Sequence, residues 1–184
     1  MTLCMATIKL KDFEVGYTDK FFFDTNIWLL LYGTVAGFQA NDQSQYAKLL
    51  ENLITRKSPI YITSMVVSEF ANVLLRRDYN QWITNNKFVD KDFKKDFVGI
   101  KEYENSVETI TISINKIFKL PNLVFVGDNF NAIDKSAILK NFKKVDFNDA
   151  YYAQLAILNK YKVVTNDKDY QKLDLYIDII TTQV

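Results

Sequence analysis

Phe21-Phe22-Phe23-Asp24-Thr25-Asn26-Ile27 is the stretch from which the fold can be read. Three consecutive aromatics with no polar alternation match a short strand buried on both faces, as found in parallel sheets covered by helices on either side. The apolar run stops at Asp24, an acid at the point where such a strand gives way to its loop.

Outward from this run, strand and helix patterns alternate. Gln43 to Lys57 carries Tyr46, Leu49, Leu50, Leu53 and Ile54 at the spacing of an amphipathic helix, and Pro59 closes it. Ile60-Tyr61-Ile62 is a second strand, and Thr63 or Ser64 caps a helix running towards Arg77, which makes a βα unit. A long helical stripe uses Phe97, Ile100, Tyr103, Val107, Ile110, Ile114, Ile117 and Phe118 and ends at Pro121. Leu123 to Val126 reads as a strand, Asn129 to Phe142 and Phe147 to Lys160 as helices, and Lys162 to Thr165 as a strand, with Ile177 to Ile180 a candidate for the last. This alternation predicts an α/β domain with a central, mostly parallel sheet and helices on both faces. Phe88 to Phe97 mixes charge signs and is expected to be a solvated connection, while residues 1–20 read as an arm or an added edge strand.

Composition narrows the chemistry. The 184 residues are 48% apolar with only 5 Gly and 2 Pro, which suits one domain with a sizeable core. There is no histidine and a single cysteine, Cys4. Ser-His-Asp and Cys-His relays, a histidine general acid and a Cys/His zinc finger are therefore excluded, and no internal disulfide can form. The 23 Lys and Arg against 22 Asp and Glu leave a net charge of +1, so a nucleic-acid partner would have to be met by a local basic patch. The longest apolar run, Ile27 to Tyr32, is far short of the ~20 residues that span a bilayer. Met1 to Leu10 also lacks the basic and apolar regions of a secretory signal, so the expectation is a cytoplasmic protein.

Four acids occupy positions where acids are awkward. Ligands of open α/β sheets bind at the carboxyl ends of strands, and there Asp24 follows Phe23 while Asp167 follows Val163-Val164-Thr165-Asn166. Glu69 sits on a helix, three residues after Val66 and four before Val73, along the apolar stripe. Asp149 stands three before Tyr152 and four before Ala153, which turns it inward as well, although Asp146 as N-cap would give it the ordinary role of an N3 acid. Buried carboxylates require compensation. A carboxylate cluster without His or Cys suits a hard cation, Mg²⁺ or Mn²⁺, able to support phosphodiester hydrolysis.

Taken in order, Phe-Phe-Asp24-Thr25-Asn26-Ile27, Ser68-Glu69-Phe70, Asn148-Asp149-Ala150-Tyr151-Tyr152-Ala153 and Val164-Thr165-Asn166-Asp167-Lys168-Asp169-Tyr170 resemble the four acidic motifs of PIN-domain ribonucleases. The VapC-like toxins of toxin–antitoxin pairs are the nearest in flavour. The resemblance covers about residues 21–180 and implies a PIN-like three-layer α/β/α sandwich over residues 21–184, with a helical insertion around 78–121. It implies a Mg²⁺- or Mn²⁺-dependent endoribonuclease in which Asp24, Glu69, Asp149 and Asp167 hold the metal. Asn26 and Thr165 would support the site, with Asp169 as a further acid. Arg76, Lys144 and Lys168, near the motifs in sequence, are candidate RNA contacts. The implied partners are an RNA substrate, an antitoxin protein and a second copy of the chain, with no membrane.

Two other readings compete. A phosphatase of the haloacid dehalogenase type also begins with Asp after an apolar strand, with Asp24 as nucleophile, but its second acid would fall at position 26, which is Asn. The other is a non-catalytic PIN-like binding module.

Overall fold

The computed structural model describes residues 6–33, 40–173 and 175–183. Cys4 lies outside them. The described strands form one six-stranded sheet: β1 (Thr7–Lys9), β2 (Phe21–Phe23), β3 (Ile60–Ile62), β4 (Leu123–Phe125), β5 (Lys162–Val164) and β6 (Ile179–Thr181). Their spatial order is β1-β6-β5-β2-β3-β4 and every pairing is parallel, a stricter arrangement than the mostly parallel sheet expected from the sequence. Parallel neighbours require crossovers. Helices α1 (Thr25–Tyr32) and α2 (Ala40–Thr55) lie between β2 and β3, and α3 (Ser64–Asn86) and α4 (Lys101–Phe118) between β3 and β4. The return from β4 to β5 carries α5 (Lys135–Asn141) and α6 (Phe147–Asn159). Right-handed crossovers that run in opposite directions along a sheet place their helices on opposite faces, giving the three layers.

The opening aromatic run shows both faces at once. Phe21, Phe22 and Phe23 are all fully buried. Phe22 packs on Tyr152 of α6, with ring centroids 5.2 Å apart, and on Tyr161 at 6.1 Å. Phe23, pointing the other way, packs on Trp28 of α1 at 5.2 Å, and the Trp28 indole N–H donates to the Phe23 carbonyl. The alternation of a strand therefore distributes three adjacent aromatics between two helical layers.

Several elements differ from the sequence expectation, each for a local reason. Helix α3 does not stop near Arg77 but continues to Asn86, since residues 78–86 contain neither Gly nor Pro; Lys87 ends it in the left-handed conformation at φ 54°. Phe88 to Phe97 is not a plain solvated connection. Asp92 caps a short π-helical turn, Phe93–Phe97, that buries Phe97 among Tyr79, Trp82, Phe93 and Tyr103. The helix expected from Asn129 is the shorter α5, whose N-cap Asp134 accepts from the Ser136 and Ala137 N–H groups. Val73 and Ile157, assigned to apolar stripes by spacing, are 43% and 37% exposed. From the N-terminal segment, Thr7–Lys9 pairs with β6 at the sheet edge.

Phe22 fills the space between the central strand and α6, so Phe22→Ala should cost about 3–5 kcal/mol of folding stability. Chemical denaturation followed by circular dichroism measures it, and a loss below about 1 kcal/mol would contradict this packing.

Candidate functional site

Strand order reverses direction at β2, which lies between β5 and β3, and the crevice at the carboxyl ends of β2 and β5 is therefore the topological switch point of the sheet. Asp24 follows β2 and also serves as N-cap of α1, its carboxylate accepting from the Thr25 N–H at 2.6 Å. Across the crevice, the Thr165 hydroxyl donates to Asp24 Oδ2 at 2.8 Å. Asn26 Nδ2 donates to the same carboxylate oxygen at 2.8 Å and to Thr165 Oγ1 at 3.0 Å. Thr165 Oγ1 also accepts the Asp167 N–H at 3.0 Å, and the Asn166 N–H donates to Asn26 Oδ1 at 3.1 Å. Asn26 and Thr165 thus tie the end of β5 to the start of α1 and fix Asp24 between them.

Glu69 reaches the crevice from α3. Its Oε2 accepts from the Thr25 hydroxyl at 2.7 Å and the Tyr152 hydroxyl at 2.9 Å. Asp149 arrives on the first turn of α6, where Asp146 is the N-cap and accepts the Asp149 N–H at 2.9 Å, as expected for an N3 acid. The Asp149 carboxylate does not return the bond. It is buried, and among the described residues nothing donates to it. Asp167 lies on the turn after β5, where one carboxylate oxygen accepts the Asp169 N–H at 2.8 Å. Asp169 turns aside, accepting from Lys172 at 2.5 Å in an exposed pair.

Electrostatics follow from this crowding. Burial, reinforced by Asp24, Asp146, Asp167 and Glu69, pushes the Asp149 carboxyl up to about 8. Burial also drives Asp24 up to about 7; the Thr165 hydroxyl and the Thr25 N–H oppose the rise, and Glu69 and Asp167 add to it. None of these four acids forms a salt bridge among the described residues, and Lys172, the cation whose field includes Asp149 and Asp167, is held by Asp169. The donors are all carboxylate and hydroxyl oxygens, the type that suits Mg²⁺ or Mn²⁺. Among the described residues no three Asp, Glu or Cys side chains already converge on one cation position. The set fits an ion held by one or two carboxylates, the usual mode for Mg²⁺.

The cationic candidates are exposed, and none forms a salt bridge with the four acids among the described residues. Lys168 is exposed on the turn between Asp167 and Asp169, and Lys144 is exposed between α5 and α6. Arg76 is exposed on α3 and lies 4.0 Å over the Phe93 ring. Three hydroxyl residues of the site were not singled out from the sequence. Thr25 and Tyr170 sit within the quoted motifs, and Tyr152 reads as part of an apolar stripe. The signal available was residue type: a Tyr where Phe would pack as well has a hydroxyl that must be accommodated. Tyr46 is another such residue, donating to the Thr165 carbonyl at 2.8 Å and accepting the Thr182 N–H at 3.0 Å behind the site.

A family model described as PIN domain matches residues 21–175. Among solved structures, VapBC2 from Rickettsia felis bound to a DNA fragment from its promoter matches with 16% identity and a TM-score of 0.52, covering 88% of this chain and 98% of that one. PAE2754 from Pyrobaculum aerophilum matches at 13% identity and a TM-score of 0.47, covering 90% of this chain and 85% of that one. No curated protein sequence matches. No helix among the described residues is long and apolar enough to cross a membrane.

Because folding raises the affinity of Asp24 and Asp149 for protons above that of an unfolded Asp near about 3.9, the protonated cluster is the more stable form. Stability of the cation-free protein should fall as pH rises from about 4 through about 7 for Asp24 and about 8 for Asp149. In chelator, Asp149→Asn should melt several degrees above the wild type at about pH 8.5, the two curves converging towards about pH 4. Thermal melts across pH measure this, and a pH-independent difference would contradict it.

Proposed function

The chain belongs to the PIN domain family, whose members are generally nucleases, and we propose that it is a divalent-metal-dependent endoribonuclease that hydrolyses RNA phosphodiester bonds. The observation that carries this reading is Asp149: a buried carboxylate that, among the described residues, receives no hydrogen bond and forms no salt bridge, in the field of Asp24, Glu69 and Asp167 at the switch point of the sheet. Asp24 and Asp149 are the principal metal-holding acids, with Glu69 and Asp167 completing the set. Mg²⁺ or Mn²⁺ bound there offsets the clustered charge, lowers the pKa of the attacking water and stabilises the charge that develops at phosphorus.

The residues around the acids have separable tasks. Thr165, Asn26 and the Thr25 N–H hold the Asp24 carboxylate in one orientation. Asp146 fixes the first turn of α6, and hence Asp149. Lys168, Lys144 and Arg76 are the RNA contacts, receiving backbone phosphates of a single-stranded or looped substrate. Family resemblance implies products with a 5′-phosphate and a 3′-hydroxyl. The haloacid dehalogenase alternative loses support from Asn26: where that chemistry needs a second acid, this chain has an amide that donates to Asp24 at 2.8 Å.

The biological setting we propose is that of a cytoplasmic toxin restrained by an antitoxin protein. The likeness of the four motifs to VapC-like toxins supports it. Exposed aromatic side chains such as Phe142 and Phe147 are compatible with a protein partner or a second copy of the chain.

Purified protein should cleave a single-stranded RNA in Mn²⁺ and stop on chelation. Asp24→Asn or Asp149→Asn should lower the rate by about 10²-fold or more while the circular dichroism spectrum is unchanged. Undiminished cleavage by these variants would refute the assignment, and Mn²⁺ binding without cleavage by the wild type would favour the binding module.

A further inference from the structure

Two phenols stand among the carboxylates. The Tyr152 ring packs on Phe22 at 5.2 Å and on Tyr151 at 6.2 Å, and its hydroxyl donates to Glu69 Oε2 at 2.9 Å. The Thr25 hydroxyl donates to that same oxygen at 2.7 Å. Both donors converge on Oε2, and Oε1 receives none among the described residues. Tyr170 is fully buried and its hydroxyl has no hydrogen-bond partner among the described residues. The charges acting on it are those of Asp24, Asp149 and Glu69, with Tyr152 alongside. Phe at either position would fill the space and, at Tyr170, would spare the protein a buried unpaired donor, which is destabilising.

We infer that Tyr152 and Tyr170 are positioning residues for a divalent cation held by the acid cluster. Tyr152 and Thr25 clamp one oxygen of Glu69, which turns the other towards the ion. Both clamping groups are neutral, so they orient the carboxylate without cancelling its charge, as a Lys or Arg would. Tyr170 is the donor kept open for an oxygen atom that enters with the ion. The arrangement is a shell of hydroxyls behind a shell of carboxylates, in the manner in which second-layer hydrogen bonds orient metal ligands elsewhere.

This inference rests on the metal-dependent reading above, and a binding measurement separates the two. Calorimetric titration of the full chain with Mn²⁺ should give dissociation constants about 10-fold or more higher for Tyr152→Phe and for Tyr170→Phe than for the wild type. The melting temperature without metal should fall by a few degrees for Tyr152→Phe, which loses the hydrogen bond to Glu69. For Tyr170→Phe it should equal or exceed the wild-type value, since an unpaired buried hydroxyl has been removed. A merely structural role would leave Mn²⁺ affinity unchanged in both variants. Tyr170→Phe loses no hydrogen bond of the metal-free protein, which keeps the test readable should Tyr152→Phe fail to fold. Wild-type affinity in either variant overturns the assignment for that residue, and if Asp149→Asn has meanwhile lost Mn²⁺, metal binding by the acid cluster stands. Absence of Mn²⁺ uptake by the wild type overturns both.

Discussion

The hydrogen bond from the Thr165 hydroxyl to Asp24 Oδ2 joins the carboxyl ends of β2 and β5 across the one crevice that the strand order opens. The polar contacts at the strand ends are organised around that junction. Asn26 closes it from one side by bonding both partners, and the Asp167 N–H closes it from the other by donating to the same threonine oxygen. A short polar seam of neutral groups thereby sets the position of two acids whose mutual repulsion would otherwise push them apart. The aromatic core beneath it, Phe22 against Tyr152 and Tyr161 and Phe23 against Trp28, supplies the rigidity that lets the seam hold charge in a buried place.

Among the described residues that charge is met by neutral donors and by no salt bridge. Lys172 is diverted into a pair with Asp169, and the donors that reach Glu69 and Asp24 are hydroxyls, an amide and a backbone N–H. A surface ion pair contributes little to stability in any case. Among the described residues nothing donates to Asp149, and burial beside other acids disfavours its ionised form. The crevice is acidic in a chain whose net charge is +1, so the local field and the global one differ in sign.

Much of the layered fold was legible in the sequence because its signals are short-ranged. Phe21-Phe22-Phe23 and Ile60-Tyr61-Ile62 are apolar runs flanked by breakers and caps, and the helical stripes between them obey a simple period. The same holds for the backbone role of Asp146, which needed only the spacing to Asp149. What escaped was set by tertiary context. The burial of Phe97 depends on Tyr79 and Trp82 of α3 and on Tyr103 of α4, rings that no local pattern brings together. Tyr152 and Tyr170 escaped for a different reason. Periodicity identifies a tyrosine as apolar, and only coordinates reveal that one hydroxyl ends on Glu69 while the other ends on nothing.

The order of strands also governs when the crevice can come into being. Thr165 and Asp24, bonded to each other, are 141 residues apart in the chain, and β1 near the N-terminus pairs with β6 near the C-terminus. Pairings of that separation close the largest loops and form late, after local helices and neighbouring strands have settled. During synthesis, an emerging chain that has completed α3 and α4 still lacks β5 and has only two of the four acids, Asp24 and Glu69, without the threonine that fixes the first of them. The crevice therefore cannot be complete in any chain that stops short of β5 and Thr165, because Asp24 would lack its partner across the sheet.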